Sequence, residues 1–139
     1  MANYYASARS NYFAVKDREA FDTWAEYAGL EILTGAEQED KIMIAPKAEC
    51  DSGWPAQRLN PDTNEWEEFD LCGELWGHLL DYQVAVLFEV GSEKLRYLTG
   101  YAVAISWEGE IERLDLNDIY EKAAEAFGIP AGSISLAEH

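Results

Sequence analysis

The sequence predicts an α+β domain, a central antiparallel sheet with about three helices packed on it. Three observations lead there. The first is the stretch from Val84 to Ser106, two apolar β-rich runs around the polar residues GSEK, with Glu89 the one charge in VAVLFEV and Arg96 the one charge in LRYLTGYAVAIS. A strand covered on both faces reads as a continuous apolar run, so this hairpin is expected at the centre of the sheet with both faces buried. The second is helical apolar spacing between terminal signals over residues 18–28, after Asp70, and over residues 118–127. The third is the lack of any regular strand–helix alternation, which argues against a doubly wound parallel sheet. With no repeats and no linker, residues 1–139 read as one domain.

Taken in order, Ser10 to Lys16 (SNYFAVK) alternates and is expected to be the first strand. Asp17 caps a helix whose stripe is Ala20, Phe21, Trp24, Ala25 and Ala28, and Gly29 sits where a left-handed cap is wanted. Leu30 to Leu33 and Lys41 to Ala45 form two short strands around TGAEQED, the second ended by Pro46. An irregular stretch follows from Lys47 to Pro61. NPDTN is a turn by composition, so Gln57 to Leu59 and Glu65 to Phe69 are expected to pair as an exposed hairpin. Asp70 caps a short helix with Leu71, Leu75, Trp76, Leu79 and Leu80 on its apolar side, weakened by Gly73 and Gly77. Gly91 with Ser92 supplies turn chemistry, and Gly100 marks a bulge or a close backbone approach. Trp107 to Gly109 make the next turn, and Ile111 to Leu116 an outer strand. Asn117 caps the last helix, with Ile119, Tyr120, Ala123, Ala124 and Phe127 as its buried stripe; Gly128 and Pro130 end it. Ser133 to Leu136 adds a final strand.

Composition narrows the function. An apolar share of 48% and an aromatic share of 13% argue for a folded body rather than an acidic disordered tail. The net charge of −17 is far beyond the roughly 2 to 8 units that solubility asks of a small domain. It excludes direct non-specific binding to nucleic acid or anionic membrane, both of which need a basic footprint. MANYYASARSNYF has no signal-peptide pattern and no run reaches transmembrane length, so a cytoplasmic protein is expected. Cys50 and Cys72 stand alone and read as free thiols. No cofactor and no metal are indicated.

The acids are grouped. Residues 36–74 hold eleven acids against three bases and residues 108–139 eight against two, so these blocks carry 14 of the 17 excess charges and flank the apolar hairpin. Glu108, Glu110 and Glu112 fall two apart, so an extended chain would aim them to one side at about 6.8 Å spacing, and Glu65 with Glu67 repeats the pattern beside Glu68. Asp118, Glu121 and Glu125 share a helix face relieved only by Lys122. Glu37, Glu39, Asp40 and Asp51 add to the field. Duplex DNA places a phosphate about every 3.4 Å along each strand, so such rows can stand in for a phosphate line before a basic groove. Trp54, Trp66 or Tyr82 would supply the apolar anchors. For any single Glu the plainer reading is a solvated surface charge.

Enzyme chemistry finds little support. Cys72 and His78 lie six apart on different helix faces beside Glu74, no second Cys or His completes a zinc set, and His139 is terminal. Asp51, Ser52 and Gly53 have no nucleophile-elbow pattern around them. Asn60, Asp62 and Asn64 lack the glycine and bidentate Glu of a calcium loop. No catalytic residue is assigned.

The runs SARSNYF, DSGWP, GSEKLRYLTGYA and LNDIYEKA, with the size and charge, make the chain similar in general character to small acidic proteins of phages and plasmids, the anti-CRISPR and anti-restriction proteins. Several of those mimic DNA. The resemblance covers style rather than a motif, and no family site residue is transferred by it. It implies a non-enzymatic inhibitor that binds a basic groove of a host-defence complex, a CRISPR effector or a restriction enzyme, and blocks DNA or PAM access. The alternative is a protein–protein interaction module or oligomeric accessory protein that uses exposed aromatics around Trp54 and Trp66; self-association into a homodimer stays open.

Overall fold

The computed structural model describes residues 4–35, 40–47, 53–93 and 97–135. In chain order the strands are β1 (Tyr4–Ser10), β2 (Leu30–Thr34), β3 (Ile42–Pro46), β4 (Gln57–Asn60), β5 (Glu65–Glu68), β6 (Val84–Glu93), β7 (Tyr97–Ser106) and β8 (Ile111–Asp115). The helices are α1 (Arg18–Ala28), α2 (Leu71–Leu75) and α3 (Asp118–Phe127). All strand pairing is antiparallel, in a four-stranded sheet ordered β1-β6-β7-β8 and two two-stranded sheets, β2-β3 and β4-β5. The architecture is therefore α+β.

The long hairpin is central, as expected. Its register runs from Val84↔Ser106 to Glu93↔Tyr97, so Gly91 and Ser92 lie inside the ladder opposite Thr99 and Leu98, and the reversal comes after Glu93 rather than at Gly91. The strand is covered on one face only. Ala85, Leu87, Val103 and Ile105 are buried, whereas Val84, Phe88, Val90 and Leu98 on the other face are about half exposed. A continuous apolar run thus overstated the burial, because the outer face has no layer on it among the described residues.

The core lies between the inner sheet face, α1 and the β2-β3 pair, with Phe13, Phe21, Ile44, Leu75, Leu79 and Ile105 fully buried. Each such side chain contributes about 1.5–3 kcal/mol of transfer free energy. α1 follows from its ends and its stripe. The Asp17 carboxylate accepts the Ala20 N–H at 3.2 Å, Gly29 adopts φ +77°, and Phe21, Ala25 and Ala28 face inward.

The first strand lies earlier than SNYFAVK. β1 ends at Ser10, and residues 11–15 then change partners. The Asn11 carboxamide continues the ladder, accepting the Val86 N–H at 2.8 Å and donating to the Val84 carbonyl at 3.1 Å. Phe13 bridges Ile42 and Val15 bridges Leu79. Phe13 is buried and Val15 packs against the core, but Tyr12 and Ala14 are half-buried like Val15, and the segment crosses three elements. Ser10, buried at the crossing, accepts the Ile44 N–H and donates to the Asn11 carbonyl.

The C-terminal quarter departs further. Asn117 sits at the start of α3 in a helical conformation with no side-chain cap; instead the Asp118 carboxylate accepts the Asp115 N–H at 2.8 Å. The stripe expected to be buried is not, since α3 buries no residue. Residues 131–133 form a single 3-10 turn, and no strand follows among the described residues. Gly100 marks no bulge, and what crowds it is a side chain: a Cβ there would meet Leu116 Cδ1 at 2.7 Å.

Candidate functional site

The expected acidic positions fall into three groups. Glu37, Glu39 and Asp51 lie outside the described residues, and Asp40 is exposed. Some of the rest are engaged within the molecule. Arg58, on β4 opposite Glu67, donates from Nε to Glu67 at 3.1 Å and from Nη1 to Glu74 at 2.6 Å, and its guanidinium lies 4.1 Å from the Tyr27 ring centroid and 4.6 Å from that of Phe69. The Tyr27 hydroxyl donates to Glu67 and the Trp24 indole N–H to Glu74. The Tyr27 bond, then Arg58, holds the Glu67 carboxyl below the usual range. Burial alone would raise Glu74, but its bonds from Arg58 and Trp24 outweigh that and lower it. Glu67 is thus part of an internal ion-pair network, and Glu65 and Glu68 are the exposed acids on the strands of that hairpin. Asp118 is likewise occupied at the head of α3, leaving Glu121 and Glu125 exposed.

The row Glu108, Glu110, Glu112 is broken by a turn. β8 starts only at Ile111, and Ser106 organises the turn: its Oγ accepts the N–H groups of Glu108 (3.2 Å) and Glu110 (3.0 Å), and its carbonyl accepts that of Gly109 at 3.0 Å. Gly109 holds φ +89° against Trp76, where an added Cβ would lie 3.1 Å from the indole. All three carboxylates are exposed, but not as one extended row.

That turn meets a second one. Residues 80–83 close through the Gln83 N–H on the Leu80 carbonyl at 3.0 Å, and Tyr82 adopts φ +68°, a left-handed conformation uncommon for a bulky residue. The Tyr82 ring, 81% exposed, stacks on Trp107 with centroids 5.0 Å apart. Trp76 lies beneath the adjoining Gly109. Asp81, Glu108 and Glu110 in the two turns are all exposed. Aromatics and exposed acids are thus brought together in one place, with a strained backbone at its most exposed ring.

The expected anchors separate. Trp54 is half-buried against the core; its indole N–H donates to the Phe88 carbonyl at 3.1 Å and its main-chain N–H to Glu89 at 2.9 Å, so it is a structural clamp. Trp66 is 69% exposed and, with Leu59, Tyr27 and Pro55, lines an open groove of about 430 Å³ between the β4-β5 hairpin and α1. Trp76 and Trp107 escaped the sequence reading, one placed on a helix face and the other in a turn. The signal available was two aromatic turns, LDYQ and WEGE, at the two ends of paired strands.

Of the residues weighed for catalysis, His78 and Cys72 are packed into the fold, while Asp51, Ser52 and His139 lie outside the described residues. His78 sits with its ring 5.1 Å from Trp24 and 5.5 Å from Phe21, and burial pushes its pKa down. Cys72 is half-buried; burial, then the nearby Asp70, pushes its thiol up, away from a reactive thiolate. Among the described residues no group of three or more His, Cys, Asp or Glu is placed to hold a metal ion, and no helix is long and apolar enough to cross a membrane. No protein-family model matches the chain, and no curated protein and no solved structure matches it.

Proposed function

We propose that this chain is a non-enzymatic inhibitor of a host nucleic-acid-targeting defence complex, of anti-CRISPR or anti-restriction type, that seats on a basic DNA-binding or PAM-recognition surface. The observation that carries the reading is the meeting of Tyr82, Trp107 and Trp76 with the exposed acids Asp81, Glu108 and Glu110 in the same two turns. The aromatics supply contacts that exclude water, while the carboxylates select a cationic partner and speed encounter. A chain at −17 offers DNA itself no footing. Glu65, Glu68, Glu121 and Glu125 are further exposed acids of the molecule.

The test is displacement of labelled target DNA from a purified guide-loaded CRISPR effector or restriction enzyme that captures the chain. The expected result is competition that weakens as NaCl rises from about 50 to about 500 mM, and that is lost when Glu65, Glu108 and Glu110 are reversed to Lys together. Simultaneous binding of DNA and this chain to that complex would falsify the reading.

One observation favours a second reading, an interaction module working through a side-chain groove. Trp66 stands exposed over an open apolar groove with Leu59 beside it. In that case Trp66→Ala abolishes binding and the charge reversals change it little.

A further inference from the structure

We propose that the uncovered outer face of the central sheet is closed by helix α3 of a second copy of this chain, in a twofold-symmetric dimer. Two apolar surfaces have no partner among the described residues. On the sheet, Phe88, Val90, Leu114 and Leu116 stand about half exposed around a shallow groove of about 200 Å³ floored by Gly100 and Ala102. On α3, Ile119 and Phe127 are 60% and 74% exposed and lie eight residues apart, with Ala123 midway between them, so they line one stripe. Their own chain does not bring them together. The path into α3 is fixed by the Leu116 N–H on the Gly100 carbonyl (2.9 Å), the Asp115 N–H on the Asp118 carboxylate (2.8 Å) and the Ile119 N–H on the Leu116 carbonyl (3.2 Å), and it leaves the sheet face open.

Size and charge both point to a second copy as the occupant. Wholly covered, the exposed parts of these side chains, with that of Leu98 on the same sheet face, would come to roughly 700 Å² per copy, close to the share each partner contributes to a standard interface. A ten-residue helix is about 15 Å long, enough to lie across three strands about 4.8 Å apart. Two molecules at −17 repel, but the strand register puts only Arg9 and Glu112 among the charged residues of this sheet face, one of each sign, and helical spacing sets Glu121 and Glu125 on the side of α3 opposite Ile119 and Phe127. This is the surface over which like-charged copies can meet. In a twofold arrangement each helix fills the other's groove, so the contact closes and does not propagate.

Sedimentation velocity of the full chain tests this. A species near twice 15.7 kDa is expected at about 100 μM protein, its fraction rising as NaCl goes from about 50 to about 500 mM, since screening weakens the repulsion. Phe127→Glu and Leu114→Glu, both at exposed positions, are each expected to raise the dimer dissociation constant at least tenfold while leaving the near-ultraviolet circular dichroism of the folded monomer in place. In a mixed sample of labelled and unlabelled protein, isotope-filtered NOEs are expected between the Phe127 ring and the Leu114 and Val90 methyls. A chain that stays monomeric at both salt concentrations, whether or not α3 then attaches to phosphatidylcholine vesicles, overturns the proposal. So does a dimer that either substitution leaves intact, or one lacking those intermolecular NOEs.

Discussion

Tyr82 stacks on Trp107 at 5.0 Å between ring centroids, the planes inclined at 46°, while its own backbone is held at φ +68°. The two facts oppose each other energetically. A left-handed conformation costs a non-glycine residue about 1–2 kcal/mol, and an aromatic pair returns about 0.5–1.5 kcal/mol. Tyr82→Gly removes both, so the urea midpoint is expected to move by less than the equivalent of about 1 kcal/mol. On the proposed reading, displacement of DNA from a defence complex that captures the chain is expected to weaken at least tenfold, because Tyr82 would be its anchor. Equal binding by the variant would remove Tyr82 from the interface.

Trp54 and Trp66 should respond in opposite ways. Trp54→Ala leaves a hole beside the core and strips the Phe88 carbonyl of the indole N–H, so a loss of about 2–4 kcal/mol is expected in chemical unfolding. Trp66→Ala removes a side chain that is mostly in water, and its stability change is expected within about 0.5 kcal/mol. Finding Trp54→Ala as stable as the parent would contradict the clamp.

What the sequence revealed and what it hid follow from how local each signal is. The ends of α1 were legible because Asp17 and Gly29 act within one turn of where they stand. The β2-β3 and β4-β5 pairs were legible because turn residues separate two short apolar or alternating runs. SNYFAVK misled because a period of two does not report the identity of the neighbour, and residues 11–15 change neighbours. The α3 stripe and the outer sheet face misled for one reason: an apolar pattern shows that a surface seeks cover, not that its own chain provides it. Glu67 was hidden because its partners, Arg58 and Tyr27, come from 9 and 40 residues away. The aromatic cluster was missed because its two turns, 80–83 and 107–110, meet only through the pairing of Val84 with Ser106 between them.

The Arg58 network sets an acid-side pH dependence. In the folded protein Glu67 and Glu74 both titrate below their ordinary value of 4.5. A lowered carboxylate contributes stability that is fully present above the unfolded value and is lost as pH falls through the folded one. Arg58→Met takes away the counter-charge and leaves Glu74 with a burial that raises its pKa, so the variant's deficit is largest above pH 5 and narrows toward pH 3. For the Arg58–Glu74 pair about 1 kcal/mol is expected at neutral pH, after allowing for solvent screening of a partly exposed carboxylate. Urea unfolding of both proteins at several pH values between about 3 and 7 measures it, and a deficit independent of pH would show that the pair does not titrate with folding.

Tyr101 contributes to the alkaline limb. Burial first, then the neighbouring Glu89 carboxylate that accepts its hydroxyl at 3.2 Å, pushes its pKa from 10.0 to about 12. A group whose folded value is raised supports the fold fully below the unfolded value and withdraws that support as pH climbs through the folded one, here between 10.0 and about 12. Arg113, 4.2 Å from the ring centroid, pulls the other way and does not cancel the shift. Phenolate absorbance near 295 nm is expected to show one tyrosine ionising last in the folded protein, and Tyr101→Phe is expected to delete that step. The same substitution flattens the fall in stability over that window by about 1 kcal/mol, a figure reduced because the ring is only partly buried. Glu89→Gln keeps an acceptor for the Trp54 N–H but removes the charge, so the last tyrosine should titrate lower than in the parent and still above 10.0, because burial remains. A last step unmoved by Glu89→Gln would place that carboxylate outside the cause.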